Sequence, residues 1–170
     1  MSITTYAELK TSITDFLNRD DLDTATPTFI SLAEADMQRK IRHWRQEKRS
    51  NANLNSRYSD VPSDFLEVIR FGVSGGNHST LEIISQGDML DLRMKSRDAS
   101  GSPRYYALTA GEIELFPTPS AVTATELYYY SKIDGLSDSN TSNWLLQNHP
   151  DAYLYGALVH SAPYLADDAR

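Results

Sequence analysis

Apolar residues recur at helical spacing near both ends of the chain and in strand-like runs through its middle. Tyr6, Leu9, Ile13, Phe16 and Leu17 form the first stripe, the spacing that puts side chains on one face of an α-helix. Thr5 and Glu8 open it as T-x-x-E, a pattern in which hydroxyl and carboxylate each take one orphan backbone N–H. The acidic stretch Asp20-Asp21-Leu22-Asp23 breaks the stripe. Thr26 followed by Pro27 then predicts a second helix with proline at its first position. Its apolar face would be Phe29, Ile30, Ala33, Met37, Ile41 and Trp44. Two helices with a short connection predict an antiparallel hairpin.

The middle of the chain changes period. Residues 45–60 are polar and read as an exposed strand or loop. Phe65 to Val73 is apolar enough for a buried strand, Gly75-Gly76-Asn77-His78 reads as a hairpin turn, and Thr80 to Ile84 as the returning strand. Ser85 and Asp88 predict the cap of a short helix carrying Met89, Leu90, Leu92 and Met94. Pro103 to Pro119 reads as two strands joined by a tight turn at Ala110-Gly111, with Pro117 and Pro119 stopping the ladder. Thr123 to Lys132 predicts a strong strand centred on Leu127, Tyr128, Tyr129 and Tyr130. After a turn-rich loop at 136–143, His149-Pro150-Asp151 opens a final helix bearing Tyr153, Leu154, Ala157, Leu158, Ser161 and Leu165, which Pro163 should kink or end.

This order predicts an α+β protein: an N-terminal helical hairpin, an antiparallel β-sheet insertion with a short helix, and a C-terminal helix. Residues 1–44 and 148–170 would form a discontinuous helical part, and residues 45–147 a β-rich part, within one compact protein. A chain of 170 residues with 40% hydrophobic residues can bury such a core.

Candidate chemistry is sparse. His43, His78, His149 and His160 stand in no metal-ligand spacing, and no cysteine is present. Asp20, Asp21 and Asp23 lack the glycine and glutamate of a calcium loop. There is no G-x-S-x-G, no P-loop and no G-x-G-x-x-G. No catalytic residue, metal site or cofactor is expected, and the chain reads as a non-enzyme. The start, Met1 to Glu8, has no signal-peptide character, and no apolar run approaches the ~20 residues of a bilayer span. Synthesis and retention in a cytoplasm, with no membrane partner, are therefore expected.

One charge feature stands out from a net charge of −7. Arg39, Lys40, Arg42, His43, Arg45, Lys48 and Arg49 concentrate positive charge in a short segment. Contact with nucleic acid or an acidic protein surface is one reading. Complementation of a helix C-terminus is the other, and it accounts for the first few residues but not for Arg45, Lys48 and Arg49. Ten tyrosines also suit half-buried sheet surfaces or protein interfaces.

Several segments carry a family resemblance. Pro103 to Pro119, Leu127-Tyr128-Tyr129-Tyr130 with Leu136-Ser137-Asp138, and Asn143-Trp144-Leu145-Leu146 with His149-Pro150-Asp151-x-Tyr153-Leu154-Tyr155-Gly156-Ala157-Leu158 are similar to segments of adaptor (head-to-tail connector) proteins of tailed bacteriophages. Tyr6-Ala7-Glu8-Leu9 and Val61-Pro62-Ser63-Asp64-Phe65-Leu66 fit the same family. The joint order of these segments carries the resemblance. It implies a virion structural protein in the neck between capsid and tail, assembled in the host cytoplasm. Such a protein would sit as a ring of identical subunits, commonly twelve, below the portal protein. It would extend the channel for genomic DNA without sequence-specific binding, and dock tail or nozzle proteins. Relatives usually continue past the point where this chain ends, by a helical segment or arm. Arg39, Arg42, Arg45, Lys48 and Arg49 are candidates for an acidic partner surface, and Tyr128, Tyr130 and Trp144 for packing or lateral contacts. Rival readings are a tail or baseplate module that binds by strand-edge pairing, a small hydrolase, and a DNA-binding regulator using the basic segment.

Overall fold

The computed structural model describes residues 3–75, 79–97 and 99–165. In chain order it contains α1 (Tyr6–Leu17), α2 (Thr26–Lys40), a 3-10 turn (Trp44–Gln46), β1 (Glu47–Leu54), β2 (Tyr58–Asp60) and β3 (Phe65–Val73). Next come β4 (Ser79–Thr80), β5 (Glu82–Ile83), α3 (Gln86–Ser96), β6 (Ser100–Gly101), β7 (Tyr105–Thr109) and β8 (Glu112–Phe116). The remainder is β9 (Thr118–Pro119), β10 (Thr123–Ser131), α4 (Trp144–Asn148) and α5 (Pro150–Leu165). The fold is α+β. It divides into two compact units, one helical, running to Ile41 and resuming at Ile133, the other β-rich, from Arg42 to Lys132.

In the helical unit, α1 starts as its capping box dictates. Thr5 Oγ1 accepts the Glu8 N–H at 3.3 Å and Glu8 Oε2 accepts the Thr5 N–H at 3.0 Å. Helix α2 begins differently from the sequence reading. Ala25 precedes it without a side-chain cap, and the buried Thr26 hydroxyl instead donates to the Leu22 carbonyl at 2.9 Å. The helix ends at Lys40, so Trp44 lies on the following 3-10 turn rather than on the apolar stripe. Helix α5 supplies Tyr153, Leu154 and Ala157 to a core shared with Leu9, Ile13, Phe29, Ile30 and Ala33. A Cβ on Gly156 would lie 3.1 Å from Ala33 Cβ and 3.2 Å from Met37 Cε, so the α5 backbone closes directly onto α2 there. Pro163 does not end α5, which runs on to Leu165. The pattern also missed α4, whose start is capped by Asn143 Oδ1 accepting the Leu146 N–H at 2.9 Å.

The β-rich unit holds two four-stranded sheets, ordered β1-β10-β3-β4 and β2-β8-β7-β5, and a short β6-β9 pair. Most pairings are antiparallel, but β5 with β7 and β6 with β9 are parallel. Pro117 and Pro119 therefore do not end strand pairing, because Thr118 and Pro119 pair with Ser100 and Gly101. The β7–β8 hairpin turns at Ala110 (φ 47°) and Gly111 (φ 92°), two consecutive left-handed residues that match the right-handed twist of the strands. Residues 76–78 of the proposed Gly75–His78 turn, His78 included, lie outside the described residues. Strand β3 is half-buried rather than buried throughout, with Phe71 and Val73 inside and Ile69 exposed. Side chains of both sheets, among them Phe71, Leu127, Tyr129, Tyr106, Ile113 and Leu115, share one core. On the other face of β7 and β8, Met89 of α3 packs with Ala107 and Phe116.

Candidate functional site

The basic segment is split between the two units. Arg39 and Lys40 occupy the last turn of α2, where both reach Asp36, at 3.3 and 2.6 Å. Arg42 pairs with Glu67 at 2.7 Å, Lys48 with Asp64 at 2.6 Å and Arg49 with Glu126 at 3.1 Å. The Arg45 guanidinium stands 5.3 Å from the Trp44 ring centroid. Strand pairing explains part of this, since Lys48 and Arg49 lie on β1 opposite Tyr129 and Tyr128. Such exposed pairs add little stability, but they leave little of the segment's charge unmatched for gripping phosphates.

Alternation along β10 sorts the tyrosine run. Leu127, Tyr129 and Ser131 are buried, so Glu126, Tyr128 and Tyr130 take the opposite face. There Tyr128, 39% exposed, lies opposite Arg49 on β1 and Arg70 on β3. Its hydroxyl donates to Glu126 Oε1 at 3.3 Å, and Arg70 donates to Thr80 Oγ1 at 2.7 Å. An open groove of about 510 Å³ runs over this face, lined by Ile69, Arg70, Gly72, Thr80, Glu126 and Tyr128. At its floor, a Cβ on Gly72 would lie 2.8 Å from the Ser79 carbonyl oxygen, so the paired strands leave no room for one. On the inner side, burial and then the neighbouring Asp64 carboxylate push the Tyr129 hydroxyl up to about 12, while it donates to Asp64 Oδ1 at 2.9 Å. Tyr130 is half-buried, and Trp144 is half-buried against the helical core. The candidate residues thus form a sheet-face group in Arg49 and Tyr128, with Arg39 and Trp144 in the other unit.

The sequence reading missed several exposed apolar side chains. Trp44 is 68% exposed, and α5 turns Tyr155 (60%) and Val159 (69%) outward. Helix α5 carries apolar side chains on its outward face as well as on the face toward the core. On the helical unit, an apolar groove of about 390 Å³ is lined by Leu17, Tyr155, Leu158, Val159, Ala162 and Leu165.

Two carboxylates, the buried Glu114 and the half-buried Glu34, have structural partners. Glu114 Oε1 accepts Arg93 Nε at 2.7 Å and Arg57 Nε at 2.8 Å, and Arg93 also donates to the Leu115 carbonyl at 2.7 Å. Glu34 Oε1 accepts the Leu136 N–H at 2.7 Å and the Tyr153 hydroxyl at 3.2 Å. Burial raises the pKa of Glu34 and of Tyr153. The space bounded by Glu34, Met37, Gln38, Ile133 and Tyr153 has no volume that a water-sized molecule could enter, so this pair braces the loop after Ile133 rather than facing a substrate. Asp21 is held by Arg19 at 2.7 Å in the link between α1 and α2, and His43 Nδ1 accepts the Arg45 N–H at 3.2 Å. Among the described residues, no group of three or more histidines or carboxylates could hold a metal ion, and no helix is long and apolar enough to cross a membrane.

The model of one protein family, described as SU10 adaptor protein, matches residues 4–170. No curated protein matches the chain.

Proposed function

We infer, because the chain belongs to the SU10 adaptor protein family of phage adaptors, that it is a non-catalytic structural protein of the virion neck. In this reading it forms a ring of identical subunits, twelve if it follows the portal, on the capsid's exit vertex. The ring extends the DNA channel and offers a docking surface to tail proteins. The family match over almost the whole chain carries the reading. Exposed aromatic and aliphatic groups, Trp44, Tyr155, Val159 and Tyr128, add support, because a ring subunit needs two lateral contacts and two axial ones. The net charge of −7 and the ion-paired basic segment suit a lumen that lets phosphates pass without holding them.

A second reading, a tail module that binds by strand addition, is favoured by β1. This eight-residue strand pairs with β10 on one side and is exposed along most of its length, and open edges of that kind accept an extra strand. Stoichiometry separates the two. Mass photometry of the portal ring with excess chain should show one added subunit per portal subunit. Substoichiometric or absent binding would overturn the adaptor reading.

A further inference from the structure

Trp44 is displayed on a fixed support. His43 Nδ1 accepts the Arg45 N–H at 3.2 Å, and Gln46 Oε1 accepts the His43 N–H at 2.9 Å. Gln46, 1% exposed, donates from Nε2 to the Ser131 carbonyl at 3.3 Å, and Ser131 Oγ donates back to the Gln46 carbonyl at 3.0 Å. The backbone beneath the indole is therefore held by four hydrogen bonds while the ring stands in solvent with Arg45 over it. Tryptophan and arginine dominate interface energetics once buried, and an anchor already held in place loses less freedom on docking.

The helical unit carries the complementary shape. The groove of about 390 Å³ between Leu17 and the outer face of α5 is apolar and falls in the range of roughly 300–1,000 Å³ that accommodates ring-bearing groups. The chain around Leu17 is acidic: Asp15, Asp20, Asp21 and Asp23 are exposed, with Arg19 bound to Asp21. The positive charge beside the knob and the negative charge beside the groove are thus of opposite sign.

We propose that Trp44 of one copy docks in the α1–α5 groove of the next copy, with Arg45 facing the acidic shoulder around Leu17. The knob and the groove are different surfaces of the same chain. Such a contact repeats head to tail and closes into a ring when the rotation per subunit allows. The proposal rests on the ring reading above and names its lateral contact.

The chain has no cysteine, so the introduced thiols are the only ones it contributes. Arg45→Cys and Val159→Cys stand at exposed positions at the knob and in the groove. Each variant, their equimolar mixture and the double variant are combined with the chain's own portal ring. A short thiol-specific cross-linker is then added, and the bound copies are counted by mass photometry. The proposal expects dimers and nothing larger from the mixture, and a ladder up to the full ring from the double variant. Adding Trp44→Ala to the double variant should cut the ladder at least tenfold, whereas Trp44→Phe should keep most of it. Copies bound to the portal without cross-links would overturn this contact and leave the ring reading standing. Absence of both bound copies and cross-links would overturn both. A bond formed within single chains of the double variant would also overturn the contact.

Discussion

Replacing Glu114 by alanine tests how the β-rich unit is held together. The Glu114 and Arg93 side chains are each 4% exposed, whereas Arg57 is 36% exposed. Removing the carboxylate breaks the 2.7 Å ion pair and leaves the Arg93 guanidinium buried, where it still donates to the Leu115 carbonyl at 2.7 Å and the Thr118 hydroxyl at 3.3 Å. Breaking a buried pair from one side costs about 3–5 kcal/mol, because the remaining charge stays desolvated. Arg57 can turn to water, so Arg57→Ala should cost no more than about 1 kcal/mol. Against a typical domain stability of roughly 5–15 kcal/mol, the first loss is severe and the second slight. Urea unfolding followed by circular dichroism measures both. Salt adds a control: at about 1 M the screening length shrinks to ~3 Å, so the Arg57 effect should fade and the Glu114 effect persist. If Glu114→Ala stays within about 1 kcal/mol of wild type, or if Arg57→Ala matches it, the buried-charge argument is wrong.

Three further outcomes follow from the same structure. Gly156→Val should destabilise the helical unit by about 1–3 kcal/mol through overpacking against Ala33 and Met37, read as a lower thermal midpoint; an unchanged midpoint would show that α5 can move away from α2. Burial raises the Glu34 pKa, so its favourable contribution is complete below the unfolded value and declines as pH rises through the folded one. Glu34→Gln, which keeps an acceptor without the charge, should therefore gain stability relative to wild type between pH 4 and pH 7, and a flat difference in urea midpoints would contradict this. Ala110 and Gly111 both have positive φ, so Ala110→Gly should be neutral or slightly stabilising and Gly111→Val should cost about 1–2 kcal/mol; equal effects in thermal melts would count against a left-handed turn.

Local signals carried most of the element assignments. The capping box at Thr5 and Glu8, the Ser85 cap and the Ala110-Gly111 hairpin each depend on residues within four positions, and each stands as its sequence predicts. What the sequence hid is non-local. Nothing near Tyr128 announces that β10 runs between β1 and β3, and without that neighbour set the alternation inside Tyr128-Tyr129-Tyr130 has no face to refer to. Glu114 reads as an outward strand residue until Arg93 of α3 covers it. The basic segment looked like one patch because its residues are adjacent in sequence, while their carboxylate partners come from α2, β3, β10 and the loop before β3. Tyr155 and Val159 fall off the apolar stripe of α5 and stand exposed, and a stripe shows which residues face the core without showing what meets the others.

Electron microscopy of the chain mixed with its own portal ring tests the adaptor role most directly. The account predicts a new layer of density at one end of the portal, of matching symmetry and with an open central channel. A bare portal at high chain excess, or density scattered over the portal's sides, would contradict it.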